Sequence, residues 1–267
     1  MSSTAARPIA LITGASSGIG AALAECFAKG GHDLVLVARS GDKLKALATR
    51  LAAEHGVKVW DEPADLAIPD AAQKLFASQK RKRRKIDVLV NNAGILEQAP
   101  FTAMTAARPQ ELIALNVAGL TAMLAHFVPP MALRGHGRVL NVASVAAFQP
   151  IPMLATYAAT KAYALSLSES LSEELKGSGV TVTALCPGIT ATDMLVRAAD
   201  ANAQVARLPP FLVGSVDEVA ADGYLACMRG EAIKVPGALD LAGTLAARAA
   251  PKWLVRRVGG ILGRRAL

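Results

Sequence analysis

The chain has 267 residues, of which 52% are hydrophobic and 19% charged, with a net charge of +8. That length supports one sizeable α/β core, the apolar fraction excludes a disordered chain, and three cysteines without paired spacing exclude a disulfide scaffold or a zinc ribbon. The positive charge is local: the run Lys80–Lys85 and the tail from Arg248 to Leu267 hold six cations each and no acid, which leaves 17 basic against 21 acidic residues elsewhere and speaks against a body built to coat nucleic acid.

Strand-length apolar runs alternate with helical patterns along the chain. The strands are predicted at Ile9–Thr13, Leu34–Val37, Val57–Trp60, Val88–Val90, Arg138–Val142, Val180–Leu185 and Ala232–Val235. Most are continuous in Val, Ile and Leu, as strands covered on both faces are. The helices are predicted at Ile19–Lys29, Lys43–His55, Ala71–Lys80, Gln110–Phe127, Ala155–Lys176 and Val216–Arg229. The alternation predicts a single Rossmann-type doubly wound parallel sheet of about seven strands with helices on both faces. Residues 1–235 form the expected domain, with a long loop at 191–214, and residues 236–267 a basic amphipathic extension of it. Leu112–Leu133 and Val139–Thr160 carry no charge and are each long enough to span a bilayer, yet they contain Asn116, His126, Asn141, Ser144 and several prolines. They read as buried elements of a soluble core. No signal peptide reads at the N-terminus, and the expected location is cytoplasmic, with reduced thiols at Cys26, Cys186 and Cys227 packed as small core residues.

The first predicted strand runs into Gly14-Ala15-Ser16-Ser17-Gly18-Ile19-Gly20 and then a helix. Glycines let the backbone turn tightly and approach a ligand, and the free N–H groups of the helix N-terminus favour a pyrophosphate. The second strand decides which dinucleotide. Asp33 lies at its wrong end to hold a ribose 2′-hydroxyl; the ligand-side end carries Ala38-Arg39-Ser40, and the planar fork of Arg39 suits a 2′-phosphate. The expected cofactor is NADP(H).

Tyr157 and Lys161 stand one helical turn apart, so both face the same way. A tyrosine is a poor acid–base at neutral pH, and a neighbouring ammonium is expected to lower its pKa toward that range. Ser144, at the end of the strand Arg138–Val142, offers a hydroxyl to an oxygen that gains negative charge during hydride transfer.

These residues, together with Asp65-Leu66, Asn91-Asn92-Ala93-Gly94, Asn116 and Pro187-Gly188, occur in the order and spacing of the short-chain dehydrogenase/reductase family, and residues 8–235 resemble it. Ala38-Arg39-Ser40 and the tail beyond Val235 resemble its NADP-linked, DltE-type subgroup. The resemblance implies a role for each matching residue. Gly14, Ser16, Ser17, Gly18 and Ile19 would bind the pyrophosphate side, Arg39 the 2′-phosphate, and Asp65 and Leu66 would flank the adenine. Asn92, Ala93 and Gly94 would line the cofactor wall or stabilise the central strand. Pro187, Gly188, Ile189, Thr190 and Thr192 would cradle the nicotinamide. Asn116 would hold a proton-relay water by distorting its helix. Tyr157 would be the general acid/base, Ser144 the oxygen anchor, and Lys161 both a ribose ligand and the tuner of Tyr157. No metal is expected.

Apolar residues gather on the substrate side: Met194, Leu195, Val196, Leu208, Phe211, Leu212 and Val213 in the loop, and Phe148, Ile151, Met153 and Leu154 after Ser144. Arg197 and Arg207 are the only cations there. The expectation is an NADP-dependent oxidoreductase interconverting a lipophilic ketone or aldehyde and its alcohol. The alternative is an NADPH-binding regulatory or scaffold protein without turnover, for which Tyr157 would be superfluous. The resemblance also implies a homodimer or homotetramer built on the uncharged helices from Gln110 and Ala155. Lys80–Lys85 reads as a solvated helix end, favoured there by the helix dipole. In the tail, Trp253, Leu254, Val258, Ile261 and Leu262 alternate with Arg256, Arg257, Arg264 and Arg265. That pattern fits a helix packed on the body or on a partner subunit, or a peripheral contact with an anionic membrane; Gly259, Gly260 and Gly263 weaken the helix.

Overall fold

A computed structural model describes residues 7–192, Leu195, Pro209 and residues 213–257. The elements in chain order are β1 (Ile9–Thr13), α1 (Gly18–Lys29), β2 (Asp33–Ala38), α2 (Gly41–His55), β3 (Val59–Pro63), α3 (Ala71–Arg81) and β4 (Ile86–Asn91). A continuous helix, Ala107–Leu133, follows, made of α4 (Ala107–Ile113), a π-helical turn (Ala114–Gly119) and α5 (Leu120–Leu133). Then come β5 (Gly137–Val142), a 3-10 turn (Val145–Phe148), α6 (Ala155–Glu174), β6 (Val180–Leu185), α7 (Val216–Arg229), β7 (Ile233–Lys234) and α8 (Ala238–Ala249).

The seven strands form one parallel sheet in the order β3-β2-β1-β4-β5-β6-β7. Alternate residues of each strand feed two cores, as period-two geometry requires. Leu11, Val35, Leu89, Val139 and Val182 face Leu75, Met123, Phe127 and Leu165 of α3, α5 and α6. Ala10, Ile12, Leu36, Val90 and Leu140 face Leu23, Phe27, Leu44, Leu51 and Val219 of α1, α2 and α7. Strand order reverses between β1 and β4, so the loops leaving their C-terminal ends diverge and open a crevice.

Most boundaries fall within two residues of expectation, and two elements depart further. The third strand is Val59–Pro63 rather than Val57–Trp60, because β2 pairs with Asp61, Glu62 and Pro63 up to its own last residue, Ala38. As an edge strand it tolerates these polar residues and a proline that lacks a ladder donor. The fourth helix overruns Gln110–Phe127 in both directions and continues through Pro129 and Pro130. It is the one described helix long and apolar enough to cross a membrane, with a mean hydropathy of 1.7. Here its apolar side chains Leu120, Met123, Leu124, Phe127 and Met131 belong to the core.

The basic run is more structured than a solvated helix end. Arg84 stacks over the Trp60 ring at 4.0 Å and, together with Lys82, pairs with Glu62 on β3. Two of the six cations thereby staple the end of α3 to the sheet edge, and the attraction holds the Glu62 carboxyl below its usual range against the opposing effect of burial. A second ionic cluster, Glu25, Lys29, Arg50, Glu54 and His55, ties α1 to α2.

Candidate active site

A cavity of about 360 Å³ opens at the crevice. Its lining comes from the ends of four strands: Gly14, Ser16 and Ser17 after β1, Ala38, Arg39 and Ser40 at the end of β2, Asp65 and Leu66 after β3, and Ala93 and Gly94 after β4. Gly14 holds a left-handed φ of 65°, and a Cβ there would come within 2.9 Å of the Ala93 backbone. A Cβ on Gly20 would meet the Gly14 carbonyl at 2.2 Å. Glycine at both positions lets the turn fold against the helix start. Ser17 caps α1 without a side-chain hydrogen bond, and the first turn contains no acid, so its N–H groups and dipole are left for an anion. Asp33 is buried at the opposite end of β2, accepting from the Lys58 N–H at 2.9 Å, and so is removed from the cavity that Arg39 lines. Lys43, on the first turn of α2, lines the same cavity beside Arg39. The sequence reading missed it, although its spacing of four from Arg39 was a usable signal. The anion-ready helix start, the exposed cations and the open strand ends together fit a phosphorylated dinucleotide.

Not every expected residue faces the cavity. Asn92 turns its amide to the Thr13 and Gly14 carbonyls at 3.0 and 3.2 Å and pins the end of β1 to β4, while Ala93 and Gly94 form the wall. Asp65 accepts from the Ala67 N–H at 3.0 Å, which fixes its loop. On the other side, Thr190 is buried and bridges to Gly214, and the Thr192 methyl would stand 3.2 Å from a Cβ at Gly18. The segment after β6 thus closes onto the phosphate turn. Ile189 is exposed. Of the expected substrate loop, Met194, Val196, Arg197, Arg207, Leu208, Phe211 and Leu212 lie outside the described residues.

The catalytic candidates converge deeper in the crevice. Ser144 is buried at the end of β5, close to the Pro187 carbonyl, and caps the 3-10 turn by accepting from the Ala146 N–H at 3.1 Å. Tyr157 packs in an apolar pocket with Leu112, Ala146, Ala158, Ile151 and Leu154. Lys161 is buried one turn on, donates to the Val142 carbonyl at 2.8 Å and lies 5.8 Å from the Tyr157 ring centre. Asn116 sits at the centre of the π-turn. Its Oδ1 accepts from the Ile95 N–H at 2.9 Å, and its Nδ2 donates to the Ile95 carbonyl at 2.9 Å and to Thr160 Oγ1 at 3.1 Å. Gly94 lies between Asn116 and Lys161: a Cβ there would stand 3.3 Å from Asn116 Oδ1 and 3.5 Å from Lys161 Nζ. Single-turn π-bulges tend to mark functional positions, because the extra residue re-aims one side chain out of the helical register.

The electrostatics correct one expectation. Burial pushes the Tyr157 phenol above its ordinary pKa, with Ser144 pulling the other way, rather than Lys161 lowering it. Burial likewise lowers Lys161 to about 8. In the protein alone both groups are driven toward their neutral forms, because burial penalises the charged form of each. Burial also pushes Cys186 and Cys227 up to about 12, consistent with inert core thiols.

Behind the site runs a polar chain that the sequence reading did not anticipate. Asn91 on β4 donates to Asn141 on β5 at 2.9 Å, Asn141 to Ser168 on α6 at 2.9 Å, and Ser168 to the Ala164 carbonyl at 2.6 Å.

Residues 8–203 match the family model described as short chain dehydrogenase. The chain is 30% identical over 239 residues to the 3-oxoacyl-(acyl-carrier-protein) reductase FabG of Aquifex aeolicus, covering 86% of this chain and 96% of that one. Among solved structures, a short-chain dehydrogenase from Sphingobium yanoikuyae in complex with NADPH is 38% identical with a TM-score of 0.79, covering 92% of this chain and 97% of that one. A bulky-bulky ketone specific alcohol dehydrogenase from Comamonas testosteroni is 33% identical with a TM-score of 0.76, covering 92% and 95%.

Proposed function

This chain belongs to the short-chain dehydrogenase family, and from that premise we propose that it is an NADPH-dependent carbonyl reductase, reversible as an alcohol dehydrogenase, acting on a lipophilic ketone or aldehyde. The observation that carries this reading is the convergence of Ser144, Tyr157, Lys161 and Asn116, all buried, at the ligand end of a sheet whose exposed rim bears Arg39 and Lys43. Two of the solved relatives point the same way, one crystallised with NADPH and one specific for bulky ketones. When bound, NADPH supplies the hydride. Arg39 and Lys43 hold the 2′-phosphate, and the N–H groups opening α1, with Ser16 and Ser17, hold the pyrophosphate. Asp65 and Leu66 flank the adenine, and Pro187, Gly188, Ile189, Thr190 and Thr192 cradle the nicotinamide. Ser144 donates a hydrogen bond to the substrate carbonyl oxygen. Tyr157 gives that oxygen its phenolic proton, so the alcohol forms without a free alkoxide. Lys161 holds the ribose and, in its charged form, stabilises the phenolate left behind; Asn116 fixes the loop and helix around it.

The test is a panel of ketones and aldehydes followed by loss of NADPH absorbance, with NADH in parallel. Turnover of apolar ketones with NADPH favoured at least tenfold is the expected result. A preference for NADH removes the role of Arg39, and tight NADPH binding without turnover on any carbonyl favours the regulatory alternative.

A second reading concerns location. Leu239, Leu245, Trp253 and Leu254 are exposed beside Arg248, Lys252, Arg256 and Arg257, and no acid follows Asp240 in the sequence. Apolar anchors flanked by cations suit the surface of an anionic bilayer. Val258, Ile261, Leu262, Arg264 and Arg265, which extend this composition, lie outside the described residues. Co-sedimentation with anionic vesicles, compared with a chain ending before Lys252, tests the contact; equal pelleting overturns it. The exposed Ile113, Leu133 and Tyr163 on the helices from Ala107 and Ala155 supply a surface for self-association, to be measured by light scattering.

A further inference from the structure

The extension after β7 reaches back to the reaction site. Gly237, at a φ of 83°, turns the chain into α8, and α8 packs against the 3-10 turn Val145–Phe148 that follows Ser144. Arg248 fixes the far end of that helix, lying 5.5 Å from the Phe148 ring centre and 3.3 Å from Glu169 of α6. The near end brings an acid to the site. A Cβ on Gly188 would lie 2.0 Å from Asp240 Oδ2 and 2.5 Å from its Cγ, so the carboxyl group occupies the space that any other side chain at Gly188 would fill. Gly188 is one peptide unit from the Pro187 carbonyl that Ser144 and the Val145 N–H both face, the latter at 3.0 Å. On the carbonyl reductase reading, a substrate held at Ser144 and Tyr157 has one flank toward Pro187-Gly188, and among the described residues Asp240 is the acid packed against that segment.

Resting on the carbonyl reductase reading, we propose that Asp240 determines specificity: it selects carbonyl substrates bearing a hydrogen-bond donor, a hydroxyl or an amine, on that flank, and rejects those bearing a carboxylate. Asp240 is half-buried, and burial raises its pKa, as expected for an acid whose solvation is incomplete until a donor reaches it. An acceptor placed in a largely apolar site discriminates in both directions, because it rewards a donor and repels an anion.

The experiment compares acetophenone with its meta- and para-hydroxymethyl and carboxylate derivatives, using NADPH with the wild-type chain, Asp240→Asn and Asp240→Leu. The wild type is expected to favour a hydroxymethyl ketone over the carboxylate. Asp240→Asn, which preserves shape, should reduce the penalty against the carboxylate about tenfold in kcat/KM. Asp240→Leu should remove the advantage of the hydroxymethyl group by a similar factor. Acetophenone itself should change less than the two derivatives do, and the NADPH dissociation constant, read by fluorescence, separates any disturbance of the cofactor cradle, which would affect all substrates alike, from a change in substrate preference. Equal changes for all substrates in both variants, or no change in any ratio, overturn the proposal. Thermal shifts given by the corresponding alcohols with NADP present are measured in parallel. If no ketone is turned over, the carbonyl reductase reading falls, while the order of those shifts across the variants still decides the role of Asp240: an order unchanged by Asp240→Asn and Asp240→Leu overturns it.

Discussion

The two ends of the crevice are built differently. At the catalytic end, Asn116, Ser144, Tyr157 and Lys161 are all less than 10% exposed, and Asn116, Ser144 and Lys161 are anchored to backbone groups. At the phosphate end, Arg39 and Lys43 are exposed side chains. Positions in the first group are fixed by packing and hydrogen bonds before any ligand arrives, so their geometry cannot change without disturbing the core. Those in the second form with the ligand and can be altered without touching the fold. On the proposed reading, chemistry is set by the interior and cofactor choice by the rim.

Tyr157→Phe tests that division most severely. Carbonyl reduction should fall at least a thousandfold, about 4 kcal/mol of transition-state stabilisation, while NADPH binding stays within about twofold; a parallel loss of binding would mean that the two ends are not separable. Next comes Arg39→Ala, which should raise the KM for NADPH by about thirtyfold, or about 2 kcal/mol for a charge-assisted contact, and leave the KM for NADH and the melting temperature nearly unchanged. Asn116→Ala should do the reverse of a rim substitution. It deprives the Ile95 N–H and carbonyl of partners, leaves the Thr160 hydroxyl with only the Tyr157 carbonyl, and should cost about 2 kcal/mol of stability, read by urea denaturation, in addition to activity.

The smallest effect is in pH. With a folded-state pKa of about 8, Lys161 is held below its unfolded value of 10.5, so from pH 8 upward the unfolded chain binds the extra proton and stability rises with pH. Relative to Lys161→Met, the wild type should gain about 1 kcal/mol between pH 8 and pH 9. Measuring the difference between the two proteins cancels the opposing trend from Cys186 and Cys227, whose raised pKa values make stability fall above pH 9.

The same contrast explains what could be read in the sequence. The core strands β1 and β6 have the predicted limits because each is a short run of apolar and β-branched residues set off by turn residues, Pro8 and Gly14 around β1 and Gly179 and Pro187 around β6. The third strand slipped because an edge strand is chosen by its partner's register rather than by its own hydropathy. Tyr157, Ser144 and Lys161 were legible through helical spacing and position at strand ends. Lys43 was missed because a lone lysine in an amphipathic helix looks like any solvated cation until the fold brings it beside Arg39. The direction of the Tyr157 shift was misread because spacing reports a neighbouring charge but not the depth of burial, which here is the larger effect. Asp240 was invisible as a site residue because its contact with Gly188 spans fifty-two positions of sequence.

The chain of polar contacts from Asn91 through Asn141 to Ser168 has a consequence for assembly. Apolar strands packed between two greasy layers could slide past one another at little loss, since one valine replaces another. Sliding β5 by a single residue would turn Asn141 to the other face and strip the buried Asn91 and Asn141 amides of these partners, at about 1–3 kcal/mol each. The amide on β5 thus acts as a registration mark between the middle of the sheet and α6. It also sets where Ser144, three residues further along, arrives beside Tyr157, so that a misaligned sheet loses stability along with that pairing.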